Sequence, residues 1–156
     1  MNVLFLSSEV APWSKTGGLG DVAGALPKAL ALRGHRVRVV TPLYPDVKRG
    51  DLTRAGAPLG LRFPFGNVEV QAHVLRADGV EVQFIDAPSL FARERYYGFP
   101  DDARRFGAFS MAALTLAQRD GFHAEVVHAN DWPTALTLYA LRTGYAHTPL
   151  GKARRV

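Results

Sequence analysis

The chain opens on an unbroken apolar run, Val3-Leu4-Phe5-Leu6, of the kind that fills a strand buried on both faces. A loop rich in Pro and Gly follows, from Glu9 to Gly18. From Leu19 to Arg33 the apolar residues Val22, Ala23, Leu26, Ala29, Leu30 and Ala31 recur at helical spacing, and Gly34 supplies a stop. Pro27 lies inside this run, lacks an N–H, and is expected to kink the helix or start it afresh. Arg36-Val37-Arg38-Val39-Val40 reads as a second strand ended by Pro42. Strand, helix and strand in this order predict a βαβ unit with a right-handed parallel crossover.

The pattern changes between Asp51 and Asp86. Val68, Val70, Ala72 and Val74 alternate with Glu69, Gln71 and His73, between turn signals at 66–67 and 78–79, and Val80 to Ile85 returns as a strand. This predicts an antiparallel hairpin insertion or sheet edge. Helical periodicity then resumes over Asp101 to Arg119, with Phe106, Phe109, Ala113, Leu116 and Ala117 on one face. A short buried strand over Glu125 to His128, a helix over Asp131 to Thr143, and a further strand beginning near Val156 complete the pattern. The predicted fold class is α/β: a Rossmann-like parallel sheet with helices on both faces and an antiparallel hairpin insertion.

Composition narrows the function classes. The 156 residues, 47% hydrophobic and 21% charged, suit one globular domain with a real core. No apolar run reaches the roughly 18 to 20 residues of a membrane span, and the first residues lack a signal-peptide n-region. The expectation is a cytoplasmic protein without a membrane partner. The absence of cysteine excludes disulfides, thiolate metal sites and a cysteine nucleophile. The net charge of +5 is scattered, and its one dense cluster, Lys152, Arg154 and Arg155, is not interleaved with aromatics. Nucleic acid is therefore not an expected partner.

Candidate chemistry concentrates where predicted strands end. Lys15-Thr16-Gly17-Gly18-Leu19-Gly20-Asp21 follows the first strand and enters the first helix. Glycines remove side chains where backbone would approach a ligand. The unpaired amides and positive dipole end of a helix N-terminus suit an anionic phosphate, and Lys15 adds a charge beside them. Gly18 to Ala23 also fits the dinucleotide pattern G-x-G-x-x-A. Its glycines follow a long loop, however, and the second strand ends Val39-Val40-Thr41-Pro42 without an acid for a ribose hydroxyl. A Walker loop fails because the lysine precedes the glycines. His128-Ala129-Asn130-Asp131-Trp132 occupies a second strand-to-helix junction. There His128 is placed to donate a hydrogen bond to a substrate, Asp131 to cap a helix, and Trp132 to enter the core. Tyr97-Gly98-Phe99-Pro100-Asp101-Asp102 leads into the long helix, with Asp101 at its N-cap. Trp13, Tyr96 and Tyr97 are candidates for stacking on sugar rings, and packing explains them equally well.

Taken together, the first 47 residues, MNVLFLSSEVAPWSKTGGLGDVAGALPKALALRGHRVRVVTPLYPDV, closely resemble the start of bacterial glycogen synthases and plant starch synthases. YGFPDDARRFGAFSMAAL and VVHANDWPTAL resemble the same family in the same order. The resemblance implies a retaining glucosyltransferase that passes glucose from ADP-glucose to the non-reducing end of an α-1,4-glucan such as glycogen. It implies two Rossmann-like domains across a cleft, the GT-B arrangement, and neither a metal nor any other cofactor in the chemistry. Residues 1–156 would be an incomplete, acceptor-side N-terminal domain, lacking the C-terminal nucleotide-binding domain and inactive alone. By motif, Lys15 would contact the donor diphosphate and Gly17 and Gly18 would offer it their amides. Asp21 would lie at the cleft floor near the acceptor, His128 would hydrogen-bond the transferred glucose, and Asp101 would line the acceptor side. Asp102 stands where many relatives have Asn, and Asn130 where some have His. Two other readings use the same residues: a non-catalytic glucan-binding module and an NAD-dependent reductase.

Overall fold

The computed structural model describes residues 1–156, folded around one seven-stranded sheet. In chain order the elements are β1 (Asn2–Leu6), α1 (Gly18–Leu32), β2 (Arg36–Pro42), β3 (Thr53–Phe63), β4 (Gly66–Ala77), β5 (Val80–Asp86), α2 (Pro88–Phe91), α3 (Asp102–Arg119), β6 (Val126–Ala129), α4 (Leu136–Arg142) and β7 (Arg154–Arg155). The strand order is β3-β4-β5-β2-β1-β6-β7. β5, β2, β1, β6 and β7 run parallel, and β3 and β4 form an antiparallel extension on β5. The crossover from β1 to β2 travels along the sheet in the direction opposite to those from β5 to β6 and from β6 to β7. Right-handed crossovers therefore put α1 on one face and α3 and α4 on the other.

The apolar runs are where burial on both faces requires them. Leu4, Phe5 and Leu6 of β1 are wholly buried, and Phe5 aligns with Val39 of β2 and His128 of β6. The predicted face of α3 is in place: Phe106, Phe109, Ala113, Leu116 and Ala117 are all buried. Asp78 and Gly79 join β4 to β5 with positive φ values of 51° and 75°. That is the left-handed turn an Asp-Gly pair favours between antiparallel strands.

Three expectations are corrected, and one strand is added. Pro27 does not restart α1, which runs unbroken from Gly18 to Leu32 with Pro27 buried. The helix expected over Asp131 to Thr143 is divided into a 3₁₀ turn, Trp132–Thr134, and α4. That first turn is closed by i→i+3 bonds, the Thr134 and Ala135 N–H groups donating to the Asp131 and Trp132 carbonyls at 3.2 Å each. The turn expected at 66–67 falls at Pro64-Phe65, between β3 and β4. β3 was not legible as a strand, because Gly56, Pro58 and Gly60 interrupt its alternation and most of its residues remain exposed.

Gly24 fixes how α1 meets the loop that precedes it. A Cβ there would lie 2.8 Å from the Ala11 carbonyl oxygen and 3.2 Å from the Ala11 Cβ. Ala11 N–H donates to the Gly20 carbonyl at 3.0 Å, so loop and helix are already bonded at this separation. Gly24→Ala is expected to destabilise the protein by about 1–3 kcal/mol through overpacking, measured by urea unfolding; an unchanged midpoint would contradict this packing.

Candidate active site

The C-terminal ends of β1 and β6 are neighbours, Leu6 aligning with Ala129. Both the Asn130 N–H and its side-chain amide donate to the Leu6 carbonyl, at 3.0 and 2.9 Å. This locks the two strand-to-helix junctions side by side at the edge where α/β sheets bind ligands.

At the first junction Gly17 is the N-cap of α1, in extended conformation (φ −155°), and Gly18 is the first helical residue. Neither glycine is demanded by the fold: a Cβ on either meets nothing within 4 Å. Their lack of side chains leaves open space beside the unpaired amides at the start of the helix. Gly20 differs, since a Cβ there would press on the Lys15 stem at 3.0 Å and the Ser14 carbonyl at 3.3 Å. Gly20 thus lets Lys15 pass over the first turn of the helix. The Lys15 ammonium ends 2.7 Å from the Asp21 carboxylate, both side chains about half exposed, so the structure brings these two candidates together.

Beneath this loop lies a group that sequence reading missed. Glu9 is 3% exposed, and a buried carboxylate needs donors. Its Oε2 accepts the Thr16 N–H (2.6 Å) and the Gly17 N–H (3.2 Å); its Oε1 accepts the Thr16 hydroxyl (2.7 Å) and the Tyr97 hydroxyl (2.8 Å). Burial raises its pKa, but the hydrogen bonds from Thr16, Tyr97 and Gly17 together outweigh burial and hold it below the ordinary glutamate value. The Gly17 amide, expected to face the ligand, is therefore directed at Glu9. The one visible signal was an acid directly after a buried strand, Ser7-Ser8-Glu9, in a loop with no other charge before Lys15.

Tyr97 reaches Glu9 because Arg105 holds its loop. Arg105 is fully buried, and its Nε donates to the Leu90 carbonyl (2.7 Å) and its Nη1 to the Tyr96 carbonyl (3.0 Å). It also pairs with Asp102 and lies over the rings of Phe91, Phe99 and Phe106. Asp102 in turn accepts the Gly98 (2.7 Å) and Phe99 (3.2 Å) amides. Asp101 stands at the N-cap of α3, but its carboxylate makes no cap bond and pairs with Arg93 at 2.9 Å instead. No hydrogen bond or ion pair joins Asp101 to the Lys15 loop or to His128.

At the second junction His128 is the penultimate residue of β6, half-buried, its ring centroid 4.7 Å from that of Phe5. Burial lowers its pKa, which keeps the imidazole neutral near pH 7, with one nitrogen a donor and the other an acceptor. The Asp131 carboxylate accepts the Trp132 N–H at 2.7 Å, the capping role expected of it. Trp132 is not in the core: it is 53% exposed, lying edge-on to Phe106 and tilted against Tyr97. The aromatic next to the ligand edge is therefore Trp132, whereas Tyr96 is buried, stacked 3.9 Å from Tyr44.

An open, mostly parallel sheet with a glycine-lined helix N-terminus, a half-exposed lysine and a half-buried histidine at adjoining strand ends defines a Rossmann-like domain. The starch synthase catalytic domain model matches residues 2–156, and the chain belongs to that family. It is 50% identical to the glycogen synthase of Myxococcus xanthus, over 100% of this chain and 34% of that protein. It is 39% identical to that of Caldicellulosiruptor saccharolyticus, over 96% of this chain and 32% of that one. In structure it matches the catalytic domain of starch synthase IV from Arabidopsis thaliana bound to ADP and acarbose, with a TM-score of 0.90 and 33% identity, covering 99% of this chain and 32% of that one. The chain thus spans about a third of the length of these relatives.

Gly17→Ala and Gly18→Ala are expected to leave thermal stability within about 0.5 kcal/mol of the parent, since both new methyl groups enter open space; a large loss would show that the fold itself needs these glycines. Glu9 adds a pH dependence. Its folded pKa lies below its unfolded one, so its contribution is present above the ordinary glutamate value, about 4.3, and is lost as pH falls through the lower folded value. Glu9→Gln should flatten this part of the acid limb in a series of unfolding midpoints against pH.

Proposed function

We propose that this chain forms the acceptor-side wall of a retaining glucosyltransferase that transfers glucose from ADP-glucose to the non-reducing end of an α-1,4-glucan. The observation that carries this reading is the open helix N-terminus at Gly18 with Lys15 beside it: space next to first-turn amides, kept by glycines the fold does not require. The glycogen synthases it resembles, and the starch synthase structure with ADP and acarbose, support a nucleotide sugar and a glucan as the ligands.

In this reading the donor diphosphate lies against the first turn of α1, where amides and helix dipole favour negative charge. Lys15 exchanges its contact with Asp21 for the phosphate. An exposed ion pair of this kind contributes only about 0–1 kcal/mol, so the exchange costs little. Asp21, released, faces the acceptor side of the cleft with Asp101. His128, neutral because buried, donates a hydrogen bond to a hydroxyl of the glucose being transferred. As charge separates between sugar and diphosphate, Lys15 and the helix amides stabilise the leaving group, the kind of preorganised electrostatics that contributes most to such catalysis.

The test is transfer of labelled glucose from ADP-glucose onto glycogen by the natural gene product that carries this segment. Lys15→Ala and His128→Ala should each lower kcat/KM by about tenfold to a hundredfold, as expected for losing a hydrogen bond with a charged or reacting partner. Transfer that survives both changes unaltered would rule the reading out.

A further inference from the structure

We infer that Glu9 is a positioning residue of the donor loop: its carboxylate acts as an internal anion that shapes the Thr16-Gly17 turn, withdraws the Gly17 amide from any ligand, and ties this loop through Tyr97 to the 96–102 segment on the opposite side of the site. The inference rests on the diphosphate reading of that loop.

The hydrogen-bond count supports it. Both carboxylate oxygens are saturated, each with two donors, and three of the four donors belong to Thr16 and Gly17. Bonds to a charged acceptor are about twice as strong as neutral ones, and this set lies under the loop that leads into α1. The fourth donor comes from across the site. The Tyr97 hydroxyl has one proton and gives it to Glu9 Oε1, so the Ser8 hydroxyl, 2.8 Å away, donates its own to the Tyr97 oxygen. A chain of Ser8, Tyr97, Glu9 and Thr16 therefore joins the end of β1, the segment before α3 and the glycine loop. The other ionisable groups around it are Tyr44 and Tyr96, with Asp46 accepting the Tyr96 hydroxyl and Asp131 and Arg105 beyond them. Burial, first of all, raises the three phenols, so they stay protonated while Glu9 is ionised, and of the three Tyr97 alone donates to Glu9.

Two consequences separate this role from general packing. A diphosphate must use the amides from Gly18 onward together with Lys15, because the Gly17 N–H already has an anion. A change at Tyr97 must also be felt at Thr16 and Gly17, although Tyr97 touches neither by hydrogen bond.

The experiment follows backbone amides by NMR in the 156-residue chain. In the parent, the Thr16 and Gly17 amides should titrate together with one midpoint below that of an ordinary glutamate. Glu9→Gln should abolish that titration. Tyr97→Phe, which removes one bond to the ionised form, should move the midpoint upward. Inorganic pyrophosphate should shift Gly18, Leu19 and Gly20 while leaving Gly17 nearly still. Thr16 and Gly17 amides blind to Glu9, a midpoint unmoved in Tyr97→Phe, or a Gly17 shift as large as that of Gly18 would each overturn the proposal. Should Glu9→Gln not fold, the Tyr97→Phe midpoint decides alone. Failure of pyrophosphate to shift any loop amide would count against the diphosphate reading instead, and the two pH titrations would still decide the role of Glu9.

Discussion

Parallel pairing of β1 between β2 and β6 is the constraint on which the rest of the structure depends. Because all three strands point the same way, the loop after β1 and the junction after β6 emerge at one edge, and only there can Lys15, the glycines and His128 share a ligand. The pairing is driven by burial: Leu4, Phe5 and Leu6 have no exposed surface, and a strand buried on both faces has no face to give to water. The same burial places the His128 ring against Phe5 and keeps it uncharged.

The edge so created must then be shaped by polar groups that are themselves buried, and here two ions divide the work. Glu9 organises the glycine loop by accepting, and Arg105 organises the segment before α3 by donating, each without water to solvate it. A buried charge is tolerable only when its hydrogen-bonding capacity is nearly filled. Arg105 meets this with two carbonyls, Asp102 and three aromatic rings, although its second terminal nitrogen has no partner. The two ions meet through Tyr97. Together they set buried polar groups beneath the candidate site, while Lys15 and Trp132 at its rim remain exposed.

The antiparallel extension β3-β4 belongs to a different part of the molecule's logic. It pairs with β5, away from the junctions that carry the candidate chemistry, and its strands are half exposed. The 33% identity and TM-score of 0.90 to a starch synthase catalytic domain show that the arrangement of elements survives extensive change of side chains.

The sequence by itself determined the parallel core, the insertion, the order of the helices and the two junctions where a ligand would bind. These depend on local signals: apolar runs, the period of a helix, Asp-Gly in a turn, glycines at a helix start. The tertiary structure alone decided what depends on partners distant in the chain. Glu9 is unremarkable among its neighbours in sequence and becomes a hub only because Tyr97, 88 positions away, is folded onto it. Trp132 reads as a core residue from its composition, and is exposed because Pro133 and the positive φ of Asp131 begin a tight turn at the rim rather than a regular helix. Asp101 reads as a cap, but its carboxylate pairs with Arg93 instead of the first-turn amides of α3. The role of Glu9 rests on a partner 88 positions away and that of Asp101 on which group takes its carboxylate, and no local pattern records either outcome.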